Sequence, residues 1–206
     1  LRVVALDRNP PVELWRLALD LHDDAGADDD VAHCDLLLGL ARAERLLGGD
    51  QYEGTVASAA ALARSLGDGH RLAACALVRN KGWVSSVFTV NRPFVDLLEE
   101  VLDLLPSDDD PIRARVMATL AIELAFGGDL DRVLAATGPA VAMAERLDDP
   151  DLLIEVVLLS LSATQGWPDL DLLRSRAELG DLVTGLLDGV ADPVRRETFQ
   201  FGLVSA

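Results

Sequence analysis

The stretch "LARSLGDGHRLAACAL" at Leu62–Leu77 has a counterpart in "MAERLDDPDLLIEVVL" at Met143–Leu158. Each stretch contains the end of an apolar helical pattern, a leucine, an acidic break and the start of another apolar helical pattern. Glycine ends helices by adopting a left-handed conformation, aspartate caps the next helix, and proline is tolerated at its first position. Both stretches therefore predict a short connection between two helices, so the same kind of connection occurs at two places in the chain.

Three further acidic breaks place these connections in a series. The breaks recur about forty residues apart, which is a period typical of helical-repeat proteins. They fall at Asp30-Val31, Asp68-Gly69, Asp110-Pro111, Asp149-Pro150 and Asp192-Pro193. Between them lies a second kind of break, at Gly48–Asp50, Gly127–Asp129 and Gly166–Asp169. Each repeat is therefore predicted to be a helix, a short turn and a second helix.

The apolar residues between the breaks follow helical spacing. Ile112, Val116, Leu120 and Leu124 recur every fourth residue, which predicts a one-sided apolar stripe. "LLIEVVLLSL" is apolar almost all round, so we expect that helix to be covered on more than one side. The predicted helix pairs are 31–47 with 51–66, 69–80 with 93–105, 111–126 with 130–147, and 150–165 with 170–187, with single helices at 10–25 and from 193.

We therefore predict an all-α fold, a right-handed α-solenoid of antiparallel helix pairs. A helix pair cannot bury its apolar stripe alone, whereas stacked neighbours bury a continuous core. The prediction is one repeat domain over residues 1–206, cut from a longer chain and with partial units at both ends. The complete repeats are expected at approximately 31–67, 68–109, 110–148 and 149–191.

Composition narrows the classes of partner. The net charge is −17, whereas nucleic acids and anionic membranes are bound by an excess of Lys and Arg. We therefore expect neither partner, and we expect a cytoplasmic protein because the sequence contains no stretch resembling a signal peptide or membrane span. Cys34 and Cys75 lie in apolar helical contexts and are predicted to be buried free thiols. We predict no metal, no cofactor and no enzymatic activity.

The repeat at Leu38–Asp68, "LGLARAERLLGGDQYEGTVASAAALARSLGD", resembles a tetratricopeptide repeat. It has a small residue within the first helix, a "GD" turn, an alanine-rich second helix and an acidic stop. The small residue recurs at Ala41, Ala121 and Ser160, but the second repeat has Arg79 at the equivalent position. A small side chain there would let the two helices of a repeat approach closely.

A narrower resemblance covers most of the chain. The stretches at Leu97–Leu124, Ala140–Leu153 and Gly166–Leu179 resemble the helical-repeat region of large actinobacterial ATP-binding regulators with a LuxR-type helix-turn-helix, or of their cyclase-linked relatives. The resemblance implies an effector or ATPase module before the repeats and, in some cases, an output domain after them. No Walker A loop, cyclase motif or recognition helix occurs in the sequence itself.

The tetratricopeptide resemblance also implies a binding face, because the first helices of such arrays line a concave groove. It implies that the groove is lined by Asp35, Arg42, Arg45, Asn80, Trp83, Arg115, Ile122, Ile154, Val157 and Leu161. The groove would hold a peptide, a partner domain, possibly of the same chain, or an effector. The alternative for the apolar members is that they pack against neighbouring helices.

Other chemical groups are interpreted structurally. His22, His33 and His70 lie near helix ends beside acidic residues, so we interpret them as capping or solvated residues. The runs Asp28–Asp30 and Asp108–Asp110 lack the ligand spacing of a calcium loop, and we interpret them as helix caps. No sequence pattern singles out a pair of catalytic carboxylates or an activated nucleophile.

The leading functional hypothesis is a non-catalytic interaction and signal-coupling domain of a larger regulator. Two alternatives stay open: a small-molecule sensor with a closed apolar pocket, and a structural spacer or self-association module. The connector Lys81–Pro93 is longer than the others and is expected either to fold over the groove or to serve as a packing element.

Overall fold

The computed structural model describes residues 11–26, 29–48, 50–80 and 89–205, and within these ranges the regular structure is helical, with no strand. This confirms the all-α prediction. The bounds agree with the predicted helices to within two residues. The helices are α1 Val12–Asp24, α2 Asp30–Leu47, α3 Tyr52–Ser65, α4 Gly69–Arg79, α5 Arg92–Leu104, α6 Pro111–Leu124, α7 Leu130–Arg146, α8 Pro150–Thr164, α9 Leu170–Leu187 and α10 Pro193–Ser205.

The helices belong to two compact units. The first, Leu1–Arg79, holds α1 to α4, and the second, Asn80–Ala206, holds α5 to α10. In the first unit α2 packs against α1, α3 and α4; in the second, α6 packs against α5, α7 and α8, and α8 also contacts α7, α9 and α10. The predicted pairing of α4 with α5 joins residues of different units and stays a prediction.

Aspartate side chains cap the helices at the predicted breaks. Asp110 accepts hydrogen bonds from the backbone N–H groups of Ile112 and Arg113, at 2.6 and 3.0 Å, where the first turn has no intrahelical partner. Its neighbour Asp109 instead pairs with Arg146, at 2.7 Å. The same capping role is taken by Asp29, Asp129, Asp149, Asp169 and Asp192. The capping interpretation of both acidic runs is thus confirmed at Asp29 and Asp110, while Asp28 lies outside the described residues.

The central helix of the second unit is α8, which is buried on several sides as "LLIEVVLLSL" predicts. Its residues Ile154, Val157 and Leu161 form an apolar core with Val183 and Leu187 of α9, and with residues that follow α9. The small residues Ala41, Ala121 and Ser160 are all buried, and their role in letting the two helices of a repeat approach closely stays a prediction. Across the described helices, none is both long and apolar enough to cross a membrane.

Two thiols are enclosed in the first unit. Cys34 and Cys75 are free and have no exposed surface, as predicted. Burial raises the pKa of the Cys34 thiol and raises that of Cys75 to about 12. Both groups are therefore protonated and poorly nucleophilic at neutral pH.

The packing of α1 on α2 depends on a glycine. The indole ring of Trp15 lies so close to Gly39 that a Cβ atom at residue 39 would come within 2.4 Å of the ring. At the far end of α2, the buried carboxylate of Glu44 accepts hydrogen bonds from Arg16 of α1 and Thr55 of α3, at 2.9 and 2.7 Å. One aromatic contact and one bridged carboxylate thus join the first three helices.

We expect Gly39→Ala to destabilise the chain by about 1–3 kcal/mol, because the added methyl group overlaps a rigid ring in a packed contact. Gly54→Ala on α3 is the matched control, since a Cβ atom there meets no other atom within 4 Å. Removing glycine from an open helix position should stabilise by about 0.5–1 kcal/mol. Urea unfolding followed by far-UV circular dichroism measures both changes. Equal stability of the two variants would contradict the role assigned to Gly39.

A candidate binding groove between α7 and α9

The polar residues expected to face an open groove are largely engaged with the protein itself. Asp35 accepts two hydrogen bonds from Arg71, at 2.9 and 2.8 Å. Arg115 donates to Glu155 at 2.9 Å, and the Asn80 side chain donates to the Thr119 hydroxyl at 2.9 Å. These contacts join residues 36 to 40 positions apart, which is about one repeat.

The remaining expected residues divide into three groups. Arg42 is exposed on α2, whereas Arg45 is half-buried, and burial lowers the pKa of its guanidinium from the ordinary value. The apolar members, Ile122, Ile154, Val157 and Leu161, have between 0 and 5% of their surface exposed, so they belong to the core, as in the packing alternative. Trp83 and most of the connector lie outside the described residues.

The second unit contains an open groove in a different place. Helices α7 and α9 both pack against α8, and no Cα atom of one lies within 8 Å of a Cα atom of the other. The space between them has a volume of about 720 Å³. We call it the α7–α9 groove; its residues include Leu130, Leu134, Gly138, Val141, Ala142 and Glu145 on α7, Ser160 and Thr164 on α8, and Leu172, Ser175, Arg176, Glu178, Leu179 and Leu182 on α9.

The floor of the groove consists of α8 side chains whose hydrogen-bonding groups are already satisfied. Ser160 donates to the backbone carbonyl of Val156 at 2.8 Å, and Thr164 donates to that of Ser160 at 2.9 Å. Both side chains are buried. Because these hydroxyl groups find partners within their own helix, they leave mainly methyl and methylene surface for a bound segment.

The walls are apolar and the rims are mainly acidic. Leu134 on α7 has 40% of its surface exposed, and the small residues Gly138 and Ala142 follow it at helical spacing. Glu145 and Glu178 lie on opposite walls, and the described lining also includes two aspartates and one arginine, Arg176. The groove therefore combines apolar contact surface with negative charge.

The binding face expected from the sequence lies elsewhere, and that expectation does not distinguish two apolar stripes on α7. The structure separates two stripes. Val133 and Ala140 are buried in the unit, whereas Leu130, Leu134, Gly138 and Ala142 line the groove. The four-residue spacing of this second set was the signal available in the sequence.

A smaller pocket of about 510 Å³ lies at the ends of α6 and α8. It is lined by Ile122, Phe126 and Trp167, among others, and Phe126 has 42% of its surface exposed. Of the apolar residues expected to line a binding face, Ile122 reaches this pocket only at its edge, because it is 1% exposed.

Comparison of the chain with protein-family models, curated proteins and solved structures finds no match. The resemblance to tetratricopeptide repeats and to LuxR-type regulators therefore stays a prediction based on the repeated stretches of sequence.

The ion pair between Asp68 and Arg71 makes the stability of the folded chain depend on pH. The Asp68 carboxylate accepts a hydrogen bond from the backbone N–H of Arg71 at 2.9 Å and also pairs with its guanidinium, and these contacts hold the pKa of Asp68 below its ordinary value of 3.8. The ionised carboxylate therefore stabilises the folded chain above that value. The contribution is lost as the pH falls through the lowered pKa.

We expect Asp68→Ala to lower the free energy of unfolding by about 1 kcal/mol at pH 7 through loss of the cap. The difference in the free energy of unfolding between the variant and the wild type should decrease as the pH falls below the ordinary pKa of an aspartate. Urea unfolding at several pH values measures it, with Asp20→Ala on the exposed face of α1 as control. If the loss of unfolding free energy did not change with pH, or were equally large in the control, the ionised Asp68 carboxylate would not make the assigned contribution to stability.

Proposed function

We propose that the chain is a non-catalytic helical-repeat interaction domain that binds a basic amphipathic helix in the α7–α9 groove. The observation that carries the proposal is the separation of α7 from α9 above an apolar floor, with acidic side chains on both walls. A helix laid in a groove presents apolar residues at helical spacing to its floor. The groove supplies a matching surface between two helices.

The proposal includes the predicted right-handed solenoid of antiparallel helix pairs, and ion pairs within each unit support its stacking. Three pairs join the beginnings of alternate helices, which is expected if those helices run in the same direction. A further pair joins the last turn of α7 to the residue before the cap of α6, which is expected if neighbouring helices run in opposite directions. These pairs are Asp35–Arg71, Arg115–Glu155, Asp151–Arg195 and Asp109–Arg146.

The charge of the groove favours a basic partner over an acidic one. The chain carries a net charge of −17, and carboxylates outnumber cations among the described lining residues. Lysine or arginine residues flanking the apolar face of a helix would approach Glu145 and Glu178 on opposite walls. Such complementary charges accelerate association and fix orientation more than they add affinity.

The resemblance to regulator repeat regions suggests what the interaction would do. In a cytoplasmic multidomain regulator of that type, an occupied groove would bias the activity of neighbouring domains. A ligand shifts such an equilibrium only by its difference in affinity for the two states. The α7–α9 groove would provide that difference if the spacing of its wall helices differs between states.

We expect a labelled leucine–lysine peptide of about five helical turns to bind the chain, and Gly138→Phe to weaken binding by about tenfold or more. Residue 138 lines the groove, and a Cβ atom there meets nothing within 4 Å, so the ring can enter the groove without displacing the helix. Gly185→Phe on α9 is the matched control, because it is equally open but lies outside the lining. Fluorescence anisotropy measures both affinities.

Charge reversal tests the rim separately. Glu178→Lys should weaken peptide binding and reduce its salt dependence, whereas Asp181→Lys changes the net charge equally but lies outside the groove lining. Equal effects of the two changes would mean that net charge alone attracts the peptide. Binding that survives Gly138→Phe would place the peptide elsewhere. Concentration-dependent dimers lost in Gly138→Phe would identify a second copy of the chain as the occupant.

A further inference from the structure

Two histidines that are eleven positions apart in the sequence meet where α1 ends and α2 begins. The ring centroids of His22 and His33 are 5.2 Å apart. The carboxylate of Asp23 lies 3.7 Å from Nδ1 of His22. One ligand atom from each of the three residues can be chosen so that all lie within 4.8 Å of one another. All three residues belong to the first unit, and none of them lines the α7–α9 groove of the second unit.

The environment of His22 is unusual for a structural histidine. Its side chain is 12% exposed, and both ring nitrogens are buried without a hydrogen-bond partner in the described structure. A neutral imidazole carries one N–H donor and one acceptor nitrogen, and a buried polar group without a partner is destabilising. A cation between the two rings would bind the acceptor nitrogen directly.

The neighbouring thiol does not join this group. Cys34 follows His33 in sequence, but its Sγ lies 3.5 Å from the backbone carbonyl of Ala59 on α3 and has no exposed surface. The cluster therefore offers two imidazole nitrogens and one carboxylate. Asp23 is 64% exposed, which leaves a route for an ion from solvent.

We propose that His22, His33 and Asp23 form a binding site for a zinc-class divalent transition metal ion. Two imidazoles and a carboxylate suit Zn²⁺ and its neighbours, whereas Mg²⁺ and Ca²⁺ prefer sites made of oxygen ligands. Ligands of a tetrahedral Zn²⁺ lie about 3.3 Å apart at ordinary bond lengths. Binding would therefore require side-chain rotations that bring the ligand atoms, now within 4.8 Å of one another, to that separation.

The fourth coordination position would be taken by water or by a side chain of a partner. The ion would also connect the last turn of α1 to the first turns of α2 across the intervening turn. Metal binding would thus stabilise the docking of α1, which otherwise depends on apolar packing against α2, including the Trp15–Gly39 contact, and on the Glu44 bridge. The site would therefore be structural, with one position open to exchange.

Isothermal titration with Zn²⁺, after removal of metal by a chelator, tests the proposal. We expect the chain to bind one Zn²⁺ saturably, and excess Mg²⁺ not to compete. His22→Gln and His33→Gln should each weaken binding by at least about tenfold, since even loss of a supporting residue beyond the ligands costs that much. Asp23→Asn should also weaken binding, because a neutral amide replaces the anionic ligand, and it should leave the fold intact because the side chain is exposed.

His70→Gln and Asp24→Asn are the matched controls, because His70 and Asp24 lie outside the cluster. Both controls should bind Zn²⁺ as the wild type does. Saturable binding of Co²⁺ with a visible absorption change, lost in His33→Gln, would give a spectroscopic readout independent of heat. The proposal is overturned if binding is not saturable, if Mg²⁺ displaces Zn²⁺, or if the controls lose as much affinity as the cluster variants.

Discussion

Direct contact between alternate helices is the constraint on which each unit depends. In the second unit α6 contacts α8, and α8 contacts α10, so these three helices form a row. Helices α7 and α9 each pack against two neighbouring helices of the row. Such contact requires small or apolar side chains along the row, and most buried residues of α6 and α8 are of this kind. It also explains why polar residues at the beginning of the row, such as Arg115 and Glu155, bind each other instead of facing an open surface.

The same constraint leaves room on the other side of the row. Because α7 and α9 both pack against α8 while their backbones stay apart, the space between them has α8 as its floor. Ser160 lines this floor, and its hydroxyl group bonds within its own helix. The groove and the core thus use different residues of one helix: Ser160 and Thr164 line the groove, whereas Ile154, Val157 and Leu161 belong to the core.

The helices were predictable because their signals are local. An aspartate such as Asp110 caps a helix through bonds to residues two and three positions away, so the sequence itself records the contact. The α7–α9 groove was not predictable, because burial of Ile154 or exposure of Leu134 depends on which helices meet. The histidine cluster escaped for the same reason: His22 and His33 lie on different helices, and no spacing within one helix brings their rings together.

The two cysteines, which are buried and poorly nucleophilic, are useful because of their location. Both lie in the first unit, and the sequence from residue 80 onward contains none. A thiol reagent added to the folded chain can therefore react only when that unit opens. The rate of labelling then reports local opening around the two thiols without any engineered probe, because the second unit contains no cysteine.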